Sequence, residues 1–191
     1  MIDQRNWDIL IIGGASGTGK TTIARALARL FQIDLVRVDD FQVLLEAITT
    51  PKTMPALHYW AANPNWRDHG INAAIGRLID VSQALSPGLA AVIDDHLTEN
   101  IPMILEGDFI LPELCASFDN PKIKSIFIHE PSLGQILQNY QTREGESQQF
   151  RGQVSHAHGN WLAKSCAEHN IPVIQSRPWN TSIKRITNSL V

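Results

Sequence analysis

The feature that most restricts the fold of this chain is the glycine-rich segment Gly14-Ala15-Ser16-Gly17-Thr18-Gly19-Lys20-Thr21. The residues before it, 9–12, are all apolar and mostly β-branched, which is typical of a strand buried on both faces of a parallel sheet. After the segment, apolar residues recur at helical spacing: Ile23, Leu27, Leu30 and Phe31. A strand, a glycine-rich turn and a helix in this order predict the start of a βαβ unit.

The same segment matches the pattern Gly-x-x-x-x-Gly-Lys-Ser/Thr at all four fixed positions. Glycines let consecutive amides turn inward around a phosphate, and the following helix adds the positive end of its dipole. In this pattern Lys20 reaches the β- and γ-phosphates of a nucleoside triphosphate, and the Thr21 hydroxyl ligates Mg²⁺. We therefore predict an ATP and Mg²⁺ site; the alternative is an ordinary glycine-rich turn. Its predicted residues are Gly14, Ala15, Ser16, Gly17, Thr18, Gly19, Lys20, Thr21 and Thr22.

Strand and helix patterns alternate along all 191 residues, which predicts a single α/β domain with a five-stranded parallel sheet in three layers. Residues 40–100 interrupt this alternation and are interpreted as a helical substrate lobe. Within them, Ser86-Pro87 predicts the start of a new helix, with proline in its first turn. The polar stretch 141–151 predicts a short mobile lid. The expected strands are residues 9–12, 33–38, 101–105, 123–128 and 171–174.

Acidic residues follow the second and third expected strands, at Asp39 and Asp40 and at Glu106 and Asp108. Ligands of open parallel sheets bind beyond the carboxyl ends of the strands, so these carboxylates are candidates for a site. The alternatives are that Asp39 or Asp40 caps the next helix, and that Glu106 and Asp108 are exposed acids without a role.

The phosphate loop and its context resemble the P-loop kinase family, which includes nucleoside, shikimate, gluconate and adenylate kinases. Val38-Asp39-Asp40-Phe41 is similar to the second-strand signature of uridine kinase, phosphoribulokinase and chloramphenicol phosphotransferase. That likeness implies that Asp39 is the base that accepts the proton of an acceptor hydroxyl. The stretch Leu105-Glu106-Gly107-Asp108 looks most like 2-phosphoglycerate kinase. It implies that Glu106 holds Mg²⁺ or contacts substrate, that Gly107 lets substrate approach, and that Asp108 lies in the substrate site.

Cations are needed around a phosphoryl group in transfer, because negative charge spreads over its oxygens. The resemblance implies that Arg143 and Arg151 belong to the lid and close over the phosphates, with Lys20 and Asp39 completing the catalytic group. It also implies that the loop with Arg177 and Trp179 packs on the adenine ring; the alternatives are surface arginines and a core tryptophan.

A dense group of aromatic and polar residues lies in the expected substrate lobe. Such side chains offer stacking area together with hydrogen-bonding groups, so they are candidates for the acceptor pocket, with local packing as the alternative. The other histidines, including His156 and His158, are expected to be structural. The candidates are His58, Trp60, Trp66 and Arg67.

Composition narrows the partners. The net charge is −3 and no basic run occurs, which argues against nucleic acid. No apolar run reaches the ~18 residues of a membrane span, and the polar start does not resemble a secretion signal. The two cysteines, Cys115 and Cys166, are far apart and are expected to be buried thiols of a cytoplasmic protein. A monomer or a homodimer is expected.

These observations predict an ATP-dependent phosphotransferase acting on a hydroxyl of a small molecule. One alternative is a nucleoside or nucleotide kinase, although the lobe offers only Arg67 and Arg77 for an acceptor phosphate. The second alternative is a non-catalytic, nucleotide-dependent switch or interaction module. The sequence does not identify the acceptor.

Overall fold

A five-stranded, all-parallel sheet forms the centre of the protein; the computed structural model describes residues 5–146 and 148–190. The strand order is β2-β3-β1-β4-β5. The chain passes from the central β1 to the edge strand β2, returns to β3 beside β1, and then places β4 and β5 on the other side of β1. This arrangement confirms the predicted α/β fold. The strands are β1 (Ile9–Gly13), β2 (Asp34–Arg37), β3 (Met103–Glu106), β4 (Ile123–His129) and β5 (Val173–Gln175).

Helices cover both faces of the sheet. None of the helices within the described ranges combines the length and the apolar character needed to cross a membrane. A short 3-10 turn at Trp66–His69 precedes the longest helix. The helices are α1 (Lys20–Phe31), α2 (Val38–Ile48), α3 (Tyr59–Ala62), α4 (Gly70–Thr98), α5 (Pro112–Ala116), α6 (Leu133–Glu144), α7 (Gln149–Glu168) and α8 (Trp179–Ser189).

Strand β1 divides the core into two layers, because its alternate side chains point to opposite faces. Ile9 and Ile11 pack toward α4 and α7, whereas Leu10 and Ile12 pack toward α1 and α8. All four side chains have no exposed surface, as expected for a central parallel strand. The phosphate loop therefore follows a central, fully buried strand of the sheet. Both cysteines are free and buried, in agreement with the sequence analysis.

The predicted helix start at Ser86-Pro87 is wrong, since α4 runs without interruption through both residues. The Ser86 hydroxyl donates to the Ser82 carbonyl at 2.8 Å, as a serine within a helix does. Leu85 and Leu89, on either side of the proline, are buried in the same apolar cluster. We infer that this burial outweighs the roughly 3 kcal/mol that an internal proline costs a helix.

The predicted lid over residues 141–151 is not a loop along its whole length. Helix α6 continues to Glu144 and ends at Gly145, which has the left-handed φ of 79° common after helices. Helix α7 already begins at Gln149. Only a short connection is left between them, and Ser147 within it lies outside the described residues. The polar sequence reflects exposed turns of two helices.

Candidate active site

The phosphate loop joins β1 to α1 at the carboxyl edge of the sheet. Gly17 and Gly19 have φ angles of 77° and 87°, a conformation that side chains with a Cβ rarely adopt. Asn139 of α6 supports the shape of the loop, because its side-chain amide donates to the Gly17 carbonyl at 2.7 Å. The Thr18 hydroxyl donates to the Ala15 carbonyl at 3.0 Å. The side chains of Asn139 and Thr18 therefore hold the loop in place immediately before α1.

Lys20, the first residue of α1, is 4% exposed and forms an ion pair with Asp108. Its Nζ also donates to the Ala15 carbonyl at 3.2 Å. Burial lowers the pKa of Lys20, but the carboxylates of Asp108 and Glu106 outweigh it and raise the pKa above its ordinary value. The side chain is therefore an ammonium group at neutral pH. The same ammonium holds the pKa of Asp108 below its usual range against the opposing effect of burial.

Two oxygen ligands suited to Mg²⁺ meet beside the lysine. The Thr21 hydroxyl donates to Glu106 Oε1 at 2.8 Å, and Glu106 is 4% exposed at the end of β3. Burial raises the pKa of Glu106, opposed by Lys20 and by the hydrogen bond from Thr21. Within the described ranges, no three His, Cys, Asp or Glu side chains form a metal-binding cluster. The pair fits Mg²⁺ in its usual setting, where phosphates and water supply most ligands.

A cavity of about 620 Å³, here called the phosphate-loop cavity, lies over these groups. It is lined by most of the predicted nucleotide and metal residues, but not by Gly14, Ala15 or Thr18. The loop residues that line it are Ser16, Gly17, Gly19, Lys20, Thr21 and Thr22. It also contains Asp39, Glu106, Asp108, Arg143 and Trp179, which come from five different elements or connections. The structure thus brings together side chains that are up to 163 positions apart in the sequence, from Ser16 to Trp179.

Trp179 and Arg177 are placed differently, although the sequence analysis assigned both to the nucleotide. The Trp179 ring lies directly on the phosphate loop, since a Cβ at Gly19 would be 2.1 Å from its Cη2. It is 41% exposed, so it is not a core residue. Arg177 is not among the residues that line the cavity. Its Nε donates to the buried Glu130 at 2.9 Å and its Nη1 to Gln135 at 2.7 Å. These bonds fasten the loop that carries the tryptophan.

A second cavity of about 470 Å³ adjoins the first, and Ser16 and Asp108 line both. It lies between residues 60–78 and α7, and it is lined by Trp60, Trp66 and Arg67, which the sequence analysis assigned to an acceptor pocket. The Trp60 and Trp66 rings meet edge to face with centroids 4.7 Å apart. The guanidinium of Arg67 lies 4.7 Å from the Trp66 centroid.

Two residues of the lobe lie apart from this cavity. His58, expected in the acceptor pocket, is not among the residues lining either cavity. Its Nε2 is 3.0 Å from the Thr49 hydroxyl, so it joins the end of α2 to the following segment. Arg77 is paired with Asp80 at 2.7 Å on the same helix.

The two predicted lid arginines face different cavities. Arg143 of α6 lines the phosphate-loop cavity, and Arg151 of α7 lines the second cavity. Both donate to Glu144, at 2.6 and 2.9 Å, and both guanidinium groups lie over the Tyr140 ring. The Glu144 carboxylate and the buried Tyr140 ring therefore hold both guanidinium groups.

Asp39, the predicted base, lies in the first turn of α2 and lines only the phosphate-loop cavity. It accepts a hydrogen bond from Arg37 Nη2 at 2.6 Å, and its side chain is 48% exposed. Gly107 has a packing role that the sequence analysis did not anticipate. A Cβ there would be 2.4 Å from Cβ of Val38, so the glycine lets β3 approach the start of α2.

Sequence reasoning missed Arg37 and His158. Arg37 lines the phosphate-loop cavity, and its position at the end of β2 was a usable signal. His158 of α7 lines the second cavity, is 2% exposed, and its Nε2 has no hydrogen-bond partner among the described residues. Burial lowers its pKa to about 4. Its spacing of four from Val154 places it on the buried face of α7, which was the available signal.

No protein-family model matches the chain. Among curated proteins it is similar to the 2-phosphoglycerate kinase of Methanopyrus kandleri, with 22% identity over 204 residues covering 94% of this chain and 59% of that protein. The 2-phosphoglycerate kinase of Methanocaldococcus jannaschii is 32% identical over 118 residues, covering 60% of this chain and 38% of that protein. The chain thus spans about three fifths or less of the length of these relatives.

Solved structures have the same architecture. A sugar kinase from Janibacter sp. HTCC2649 superposes with a TM-score of 0.57 at 17% identity, covering 95% of this chain and 93% of that one. Shikimate kinase from Acinetobacter baumannii, in complex with shikimate, gives 0.54 at 16% identity and covers 97% and 95%. At such identities the likeness establishes the fold, which is that of the P-loop small-molecule kinases.

Proposed function

We propose that this protein is an ATP-dependent kinase that transfers the γ-phosphate to a hydroxyl of a small organic acid. The observation that carries the proposal is the junction of the two cavities at Ser16 and Asp108. Direct transfer requires an acceptor oxygen in line with the γ-phosphate, at about 3–3.5 Å from it. Two adjoining cavities beside one phosphate loop have room for a nucleotide and an acceptor side by side, which supports the proposal.

The phosphate-loop cavity has the charges that Mg-ATP needs. Lys20 is an ammonium group at the helix start, and the guanidinium group of Arg143 also lines the cavity. Thr21 and Glu106 would hold Mg²⁺, which when bound neutralises charge on the phosphates. The exposed face of Trp179 offers a surface on which a nucleobase can stack.

The second cavity favours an anionic acceptor. Two arginines, Arg67 and Arg151, line it, against the one carboxylate of Asp108. His158 is neutral above its pKa of about 4 and adds no charge near pH 7, so the arginines outnumber the carboxylate among the lining side chains. The sequence analysis named Arg67 and Arg77 as the arginines that could bind an acceptor phosphate. With Arg151 in place of Arg77, the geometry supports a carboxylate or phosphate on the acceptor.

The names of the curated relatives agree with this chemistry, since 2-phosphoglycerate carries both anionic groups and a free hydroxyl. We therefore rank 2-phosphoglycerate first among acceptors. Asp39 stays the predicted base, and its hydrogen bond from Arg37 would orient its carboxylate. Use of ATP and two free buried cysteines fit a cytoplasmic setting.

A nucleoside kinase is the second candidate, favoured by the two tryptophans of the second cavity. Trp60 and Trp66 both line it, and their rings could pack against a nucleobase. In that case the arginines would be secondary, and neutral nucleosides would be better acceptors than organic acids.

The test is a Mg-ATP consumption assay with and without each acceptor: 2-phosphoglycerate, glycerate, shikimate, gluconate and a set of nucleosides. We expect an organic acid to stimulate ADP formation, and Lys20→Ala to abolish it. A nucleoside as the best acceptor would select the second candidate. Binding of Mg-ATP by calorimetry without stimulation by any acceptor would favour a non-catalytic switch and refute the proposal.

A further inference from the structure

The ion pair between Lys20 and Asp108 occupies the junction of the two cavities. Lys20 is 4% exposed, whereas the Asp108 side chain is 29% exposed and lines both cavities. The lysine follows the phosphate loop, and the aspartate follows β3 by two residues. The pair therefore connects the phosphate side of the site to the second cavity.

Lys20 cannot keep its present bonds and also serve two phosphates. An ammonium group has three N–H donors, and two are directed at Asp108 and at the Ala15 carbonyl. Contact with both β- and γ-phosphate oxygens needs two donors. The Ala15 carbonyl is fixed backbone of the loop, so the bond to the side chain of Asp108 is the one to be exchanged. The negative charge of the bound phosphates would also repel the Asp108 carboxylate.

We propose that Asp108 restrains Lys20 when no nucleotide is bound, and that the phosphates take the lysine over and leave Asp108 as a free carboxylate facing the second cavity. The inference rests only on the nucleotide-binding half of the proposed function. It gives the acceptor a carboxylate partner in its own cavity, which Asp39 does not line. It also makes acceptor contact dependent on prior binding of nucleotide.

The first experiment measures the affinity for the Mg²⁺ complex of AMP-PNP, a non-hydrolysable ATP analogue that keeps the γ-phosphate. Calorimetry compares the wild type, Asp108→Asn and the control Asp119→Asn. Asp119 is an exposed aspartate away from both cavities, so its variant matches the change in charge. If Asp108 competes with phosphate for Lys20, Asp108→Asn binds Mg-AMP-PNP about tenfold tighter, the scale of one charge-assisted hydrogen bond. Equal or weaker binding overturns the proposal, provided that circular dichroism shows folded protein.

The second experiment reports from the second cavity without any acceptor. His158 lines that cavity, and Asp108 raises its pKa while Lys20 lowers it. NMR titration of the His158 ring, assigned with His158→Asn, is carried out with and without Mg-AMP-PNP. Loss of the Lys20 contact to Asp108 should raise the pKa of His158 more in the wild type than in Asp108→Asn. The same rise in both proteins would mean that Asp108 is not released.

These outcomes separate the inference from the proposed function. Tighter Mg-AMP-PNP binding by Asp108→Asn with no active acceptor in the panel leaves the inference standing and rejects the kinase. Acceptor-dependent transfer by the wild type with unchanged Mg-AMP-PNP binding by Asp108→Asn rejects the inference alone.

Discussion

Acid should destabilise this protein through His158, which lies buried at the floor of the second cavity with an unpaired Nε2. Burial and the nearby Lys20 lower its pKa from 6.5 to about 4, against the opposing effect of Asp108. Its ring stacks on Trp161 with centroids 6.1 Å apart. The folded protein therefore resists protonation of this ring, whereas the unfolded chain accepts the proton at its ordinary pKa.

The sign and size follow from proton linkage. Below pH 6.5 the unfolded state binds a proton at His158 that the folded state does not bind until about pH 4. The free energy of unfolding therefore falls as pH drops through this window, and His158 has no such effect above it. The full difference corresponds to about 3 kcal/mol, and about 2 kcal/mol of it is already lost at pH 5.

Urea unfolding of the wild type, His158→Asn and His156→Asn at pH 7, 6 and 5 measures this loss. His158→Asn lacks the titrating group, so its free energy of unfolding should fall less with acid, by about 2 kcal/mol at pH 5 relative to pH 7. His156, on the same helix with its Nε2 3.0 Å from the Pro131 carbonyl, supplies the control. Its variant keeps His158 and should keep the acid loss. If His158→Asn loses stability as steeply as the wild type, the buried, neutral histidine is refuted.

Three further predictions concern turnover with the acceptor found in the panel. Asp39→Asn should lower the rate of transfer roughly 10²-fold or more with Mg-ATP affinity near that of the wild type; undiminished transfer would remove it as the base. Glu106→Gln should raise the Mg²⁺ concentration for half-maximal rate about tenfold or more, because it loses the charge beside Thr21. Arg151→Gln should raise the KM for an anionic acceptor about tenfold while Arg77→Gln does not, since only Arg151 lines the second cavity.

The sheet and the phosphate loop could be predicted because their signals are local. Residues 9–12 are apolar without alternation, and the structure buries them on both faces. Gly17 and Gly19 are required by the backbone at their own positions. The start of α6 depends on an equally local signal, since the hydroxyl of its N-cap residue Ser132 accepts a hydrogen bond from the Gln135 amide.

The errors arose where distant packing decides the local structure. Proline at position 87 is a strong local signal, yet the buried face of α4 continues through it. The prediction that Arg177 lies near the nucleotide rested on its position after the fifth strand, but its partner Glu130 is 47 residues earlier and buried. The spacing of His158 from Val154 indicates only that it lies on the buried face of α7. Its place in the second cavity depends on residues 60–78 and on the connection after β3, which line the same cavity and are far from it in the chain.

The rule that ligands bind beyond the carboxyl ends of parallel strands located the site but could not divide it between two ligands. Both Asp39 and Asp108 follow strand ends, and β2 and β3 are adjacent in the sheet. Their side chains nevertheless differ in reach: both line the phosphate-loop cavity, but only Asp108 of the two also lines the second cavity. The reason is that α2 begins at Val38, immediately after β2, whereas Asp108 lies in the connection before α5. The length of each connection therefore determines which of the two carboxylates reaches the second cavity.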